Sequence, residues 1–121
     1  MIDGVKNLLG LARRAGKVAS GDLAVREALA RGKAILVLLA QDAGPTTAGR
    51  FSRLCGQREI DCISIGSQEE LGRALGQSPR AVLAVTDVNF ARGLREAMAE
   101  SGVNAESANI RGCVNGKKKG I

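Results

Sequence analysis

Two short stretches of this 121-residue chain place together residue types suited to holding a phosphate. The first is Ser20-Gly21-Asp22, which reads as the start of a helix, with Lys17 just before it and Arg26 one turn further on. A helix N-terminus leaves backbone N–H groups unpaired and carries the positive end of the helix dipole, an arrangement that suits an anion. The second is Gln77-Ser78-Pro79-Arg80, a polar loop ahead of an apolar run, from which Arg80 offers a further cationic contact if the two loops are neighbours. Taken alone, each has a plainer explanation: a capped helix beside an ordinary loop.

Other chemistries find no footing. The chain has no His, so a His general base or His-ligated metal is excluded. Gly10 to Lys17 imitates a phosphate loop, but its glycines stand six apart, one more than the motif needs. Val18 occupies the place of the magnesium-binding Ser or Thr, and the stretch lies inside a helix. The carboxylate pair Glu69-Glu70 falls in a helical first turn, where the helix dipole accounts for it. No nucleophile is paired with a base. Cys55, Cys62 and Cys113 are scattered and odd in number, which fits small buried hydrophobes better than ligands or disulfides. No enzyme, cofactor or metal is expected.

The elements that would position these stretches follow from periodicity. Residues 3–15 make a helix with Val5, Leu8, Leu9, Ala12 and Ala15 on one face and Asp3 at its start. Residues 17–20 form a short edge strand, and a helix follows, capped by Ser20 or Asp22, with Val25, Ala28 and Leu29 inward. Residues 35–40 are six apolar residues without alternation, the mark of a strand covered on both faces. Pro45 opens a third helix carrying Ala48, Phe51, Leu54 and Cys55 inward. Residues 61–65 alternate as a strand. Ser67 and Glu70 form a capping box for a short helix to Leu75, ended by Gly76. Residues 81–85 are a second continuous apolar strand, and Asp87 caps a last helix, from Val88, with Phe90, Ala91, Leu94, Ala97 and Met98 inward. Helices alternating with strands imply an α/β fold, a three-layer α/β/α sandwich with a four-stranded mixed sheet. The domain should span residues 1–100, with residues 101–121 a flexible basic tail exposing Lys117, Lys118 and Lys119.

The net charge of +6 is uneven. Residues 1–33 carry seven Lys/Arg against three Asp/Glu, residues 34–100 seven against eight, and residues 101–121 four against one. A basic chain without a membrane-spanning apolar run or a signal-peptide pattern points to a cytoplasmic protein whose partner is nucleic acid and not a membrane. The two aromatics, Phe51 and Phe90, both lie on helix faces, so base-stacking platforms are absent. Contacts would come from backbone amides, polar side chains and shape.

Several blocks in order now carry a resemblance. They are Gly10-Leu11-Ala12-Arg13-Arg14-Ala15-Gly16-Lys17 with Ser20-Gly21, then Arg31-Gly32-Lys33-Ala34, and Val37-Leu38-Leu39 running into Ala40-Gln41-Asp42. Further on stand Glu70-Leu71-Gly72-Arg73-Ala74-Leu75-Gly76, and Ala84-Val85-Thr86-Asp87 with Phe90-Ala91. Over residues 4–100 the chain resembles the ribosomal-protein superfamily whose archaeal and eukaryotic members bind kink-turn RNA, the large-subunit proteins numbered seven-Ae and thirty-e. Within it the chain is most similar to the bacterial YlxQ-like branch. The resemblance implies an α/β/α sandwich and an RNA site made from the start of the second helix, residues 21–27, and the loop at residues 77–81. Kink-turn binders carry Gly-x-Asn-Glu-x-x-Lys at that helix start. This chain has Gly21-Asp22-Leu23-Ala24-Val25-Arg26-Glu27, retaining only the glycine: Leu23 and Ala24 replace the Asn-Glu pair, and Glu27 replaces the lysine. Each lost base-edge contact costs about 1–3 kcal/mol of discrimination.

The expectation is a non-enzymatic RNA-binding protein associated with ribosomes or translation. It would grip structured RNA, ribosomal RNA included, through Lys17, Ser20, Gly21, Asp22, Leu23, Ala24, Arg26 and Glu27 together with Gln77, Ser78, Pro79 and Arg80. The alternative is a protein-interaction module that kept the fold and lost RNA, for which an exposed Leu23 at the helix start would be the mark.

Overall fold

The computed structural model describes residues 3–100; the expected tail at 101–121 and Cys113 lie outside the described residues. The order is α1 (Asp3–Arg14), β1 (Val18–Ser20), α2 (Asp22–Ala30), β2 (Leu36–Leu39), α3 (Pro45–Arg58), β3 (Asp61–Ser64), α4 (Gln68–Leu75), β4 (Val82–Val85) and α5 (Val88–Glu100). The four strands form one mixed sheet in the order β1-β4-β2-β3. β4 runs antiparallel to both neighbours, and β2 and β3 are parallel.

Every residue of β2 and of β4 is buried, as their unbroken apolar runs require. Leu36, Leu38, Leu83 and Val85 face a core shared with Val5 and Leu9 of α1, Leu71 and Leu75 of α4, and Ala91, Leu94 and Met98 of α5. Val37, Leu39, Val82 and Ala84 face a second core with Val25, Ala28 and Leu29 of α2 and Phe51 and Cys55 of α3, joined by Cys62 of β3. The layers are therefore α1, α4 and α5 on one face and α2 and α3 on the other, the expected α/β/α sandwich. Ala15 departs from expectation: it lies past the last helical residue and is exposed.

The register decides which loops meet. Ser20 pairs with Leu83, Leu39 with Val82, and Leu39 with Ser64. The C-terminal ends of β1, β2 and β3 thus coincide with the start of β4. At this one end of the sheet the chain passes into α2, α3 and α4, and the loop from α4 enters β4.

Local signals hold at most boundaries. Ser67 Oγ accepts from the Glu70 N–H at 3.0 Å, and Glu70 Oε1 accepts from the Ser67 N–H at 2.9 Å, completing the capping box. Asp87 Oδ1 accepts from the backbone of Asn89 at 2.7 Å and of Phe90 at 3.1 Å at the start of α5. Pro45 stands in the first turn of α3. Among the described residues no helix is long and apolar enough to cross a membrane.

Ser67→Ala removes the side-chain half of the capping box and should lower stability by about 1 kcal/mol. Urea unfolding followed by circular dichroism checks it, with the midpoint falling and the slope unchanged.

Candidate nucleic-acid interface

The start of α2 is set by one glycine. Gly21 sits at φ 96°, ψ 161°, a backbone region that is essentially closed to residues with a Cβ. Its N–H donates to the Val82 carbonyl at 3.0 Å, fastening the end of β1 to β4, and its carbonyl accepts from the Val25 N–H at 3.0 Å as the first helical bond. The residue at the cap is Gly21 itself, and no side chain caps the helix. The expected cap from Ser20 or Asp22 is thus corrected, because both side chains have other partners. Ser20 Oγ donates to Gln77 Oε1 at 2.9 Å, across to the second loop. The Asp22 carboxylate accepts from Arg26 Nε at 2.6 Å through Oδ1 and from Arg50 Nη1 through Oδ2. The first turn of α2 is left with its N–H groups unanswered by any capping side chain.

The second loop is seated on α4. The Gln77 N–H donates to the Gly72 carbonyl at 2.8 Å, and the Arg80 N–H to the Gln68 carbonyl at 3.0 Å. A Cβ at Gly72 would lie 2.2 Å from the Ser78 carbonyl oxygen and 2.8 Å from Pro79 Cα, so the loop backbone rests where a side chain would be. The Arg80 guanidinium does not project as a free cation. Its Nη1 donates to Ser78 Oγ at 2.8 Å and to the carbonyls of Ser78 and Pro79, each at 3.2 Å, bracing the loop from within. Behind it, Gln68 is tied to the β2–α3 turn: its N–H donates to Asp42 Oδ1 at 2.9 Å, and its Nε2 to the Asp42 carbonyl at 3.1 Å.

The fold therefore brings the two expected stretches side by side, through the Ser20–Gln77 bond, the Gly21–Val82 bond and the β1–β4 ladder. Leu23, Arg26, Glu27, Ser78 and Pro79 are exposed there; Ser20, Gly21, Asp22, Ala24, Gln77 and Arg80 are half-buried. Lys17 is not gathered with them. Its carbonyl accepts from the Thr86 N–H at 2.9 Å, at the opposite end of β1, three residues or roughly 10 Å of strand away. Arg50 stands in its place. It lies 28 residues beyond Asp22 in sequence, so only a tertiary contact between α2 and α3 reveals it. The assembled groups include guanidiniums and backbone N–H donors, types that suit an anion. Among the described residues no group of three or more His, Cys, Asp or Glu is placed to hold a metal ion.

Comparison with known proteins gives a consistent picture. Residues 3–95 match the family described as ribosomal protein L7Ae/L30e/S12e/Gadd45. The chain is 41% identical over 87 residues to the RNA-binding protein YlxQ of Bacillus subtilis, covering 72% of this chain and 87% of that one. It is 32% identical over 90 residues to the RNA-binding protein YlxQ of Enterococcus faecium, covering 74% and 86%. A solved structure from Bacillus halodurans, of a protein described as of unknown function, superposes with a TM-score of 0.75 at 36% identity, over 78% of this chain and 96% of that one. The 15.5 kDa RNA binding protein of Giardia lamblia shares the fold with a TM-score of 0.69 at 24% identity, over 83% and 86%.

The seat of the second loop is open to test. Gly72→Ala should push the loop off α4 and destabilise the chain by about 1–3 kcal/mol, the usual cost of an overpacked contact. In an amide NMR spectrum the largest shifts should fall on Gln77, Ser78 and Arg80 and, through the Ser20–Gln77 bond, on Ser20 and Gly21.

Proposed function

The chain belongs to the ribosomal protein L7Ae/L30e/S12e/Gadd45 family, and from that premise we propose that it is a non-enzymatic RNA-binding protein of the ribosome or the translation machinery. The surface it uses is the start of α2, from Ser20 to Glu27, with the loop Gln77-Ser78-Pro79-Arg80. The observation that carries the reading is the hydrogen-bonded junction of these two segments at one end of the sheet, with an uncapped helix start and Arg26 one turn along it, paired with Asp22. The names of the two YlxQ relatives support it, as does the net charge of +6.

The manner of binding follows from the side chains. Leu23 and Ala24 have no side-chain donors or acceptors, so they read no base edge. The guanidiniums and the backbone N–H groups of the helix start suit phosphate oxygens. The protein therefore holds structured RNA, ribosomal RNA included, by backbone charge and shape rather than by the sheared-guanine contacts of a kink-turn reader.

A second reading takes its support from Leu23, which is 62% exposed in the first turn of α2. An apolar side chain at this position suits a protein-interaction module that has lost RNA. It requires that the purified chain leave RNA unbound even at low salt, and that partner capture survive nuclease treatment.

Binding to a structured RNA should be salt-sensitive. With about four phosphates neutralised, the slope of log K against log salt should be roughly −3 to −4. Arg26→Ala and Arg80→Ala should each weaken binding in a fluorescence anisotropy titration, Arg26 by loss of a phosphate contact and Arg80 by loosening its loop. Unchanged affinity in both variants would refute the site.

A further inference from the structure

The ion-pair cluster between α2 and α3 contains one basic residue that neither the helix-start reading nor the second loop accounts for, Arg50. We propose that Arg50 is a phosphate-binding residue of the RNA interface, held beside Arg26 by the carboxylate they share, that of Asp22. This rests on the RNA-binding reading above and extends its footprint from α2 onto α3.

The geometry of the shared acid carries the argument. Each oxygen of Asp22 takes a different arginine: Oδ1 accepts from Arg26 Nε, and Oδ2 from Arg50 Nη1. An arginine has five N–H donors in a planar fork. A pair that served only to fasten α2 to α3 would be fully met by one guanidinium laid with both arms on the carboxylate. Here each arginine spends one donor on Asp22, and among the described residues neither guanidinium makes another hydrogen bond or ion pair. One carboxylate between two guanidiniums leaves a net positive charge. The two guanidiniums also screen the Asp22 carboxylate that would otherwise face an approaching phosphate. The cluster is open to a ligand, the side chains being 34% exposed at Arg50 and 49% at Arg26. It borders the uncapped first turn of α2, and α3 starts at the same end of the sheet. An RNA backbone crossing from the start of α2 toward α3 meets Arg26 and then Arg50.

This placement also says what Arg50 does not do. A guanidinium tethered by one arm to a carboxylate and partly exposed beside a helix start contributes charge and position without choosing a base. Its loss should act alike on RNAs of different sequence.

The test is a salt series of RNA affinities with the full chain and one structured RNA, comparing four variants. Arg50→Gln keeps an N–H donor for Asp22 and removes the charge; it should weaken binding several-fold and make the log–log slope shallower by about 1. Arg50→Lys keeps the charge and should restore the slope. Arg95→Ala removes the same charge at the other end of the sheet, where Arg95 pairs with Asp61 at 2.6 Å, and should leave the slope unchanged. Arg26→Ala reports on the helix-start site itself. If Arg26→Ala alters the slope and Arg50→Gln does not, Arg50 only fastens the helices and the proposal fails while the RNA reading stands. An equal change in Arg95→Ala would assign the effect to net charge and also overturn it. Absence of RNA binding by the unsubstituted chain would remove the reading beneath both.

Discussion

The two-sided burial of the β2–β4 pair is the constraint on which the rest of this structure depends. All eight residues of the two strands are buried, alternately toward one helical layer and the other. Each large side chain so buried contributes about 1.5–3 kcal/mol, an upper estimate because denatured chains are already partly collapsed. Neither strand could sit at a sheet edge or face water. The pair must lie centrally, with β1 and β3 at its flanks and helices over both faces. The antiparallel β1–β4 and β2–β4 ladders then fix which strand ends coincide.

The candidate site is a consequence of that coincidence. Its loops are anchored by main-chain bonds to buried strands and packed backbone to backbone on α4 at Gly72, so they present their donors from a rigid base. The charges divide into two kinds. Arg80 is spent on its own loop, whereas Arg26 and Arg50 share one acid, each giving it a single donor. On the reading proposed above, such a surface suits a polyanion, and at Leu23 and Ala24 it has no side-chain donor or acceptor to distinguish one base from another.

Much of this was legible in the sequence, for local reasons. The unbroken apolar runs identified the buried strands, and the capping box at Ser67 and the Asp87 cap marked their helices because capping operates within four residues. The alternation of elements was enough for the three layers and the mixed sheet. What could not be read depends on contacts between distant segments. The strand order places β4 between β1 and β2, which no local pattern encodes. Ser20 and Asp22 are good capping residues by type, yet Gln77 and Arg50, 57 and 28 residues away, claim their side chains. Lys17 is near Ser20 in sequence and far from the site, because three residues of strand separate them. Gly72 stands within α4, and the reason for a glycine there is a loop packed against it from outside.

On the proposed reading this surface recognises RNA by charge and path and not by base edges. The most direct measurement compares its affinity for a kink-turn RNA containing sheared G·A pairs with that for a uniform duplex of equal length, at matched salt. Recognition by charge and path should give affinities within a few-fold of each other and parallel salt dependence. A preference for the kink-turn of about a hundredfold, equivalent to about 2.7 kcal/mol, that persisted as salt was raised would contradict it.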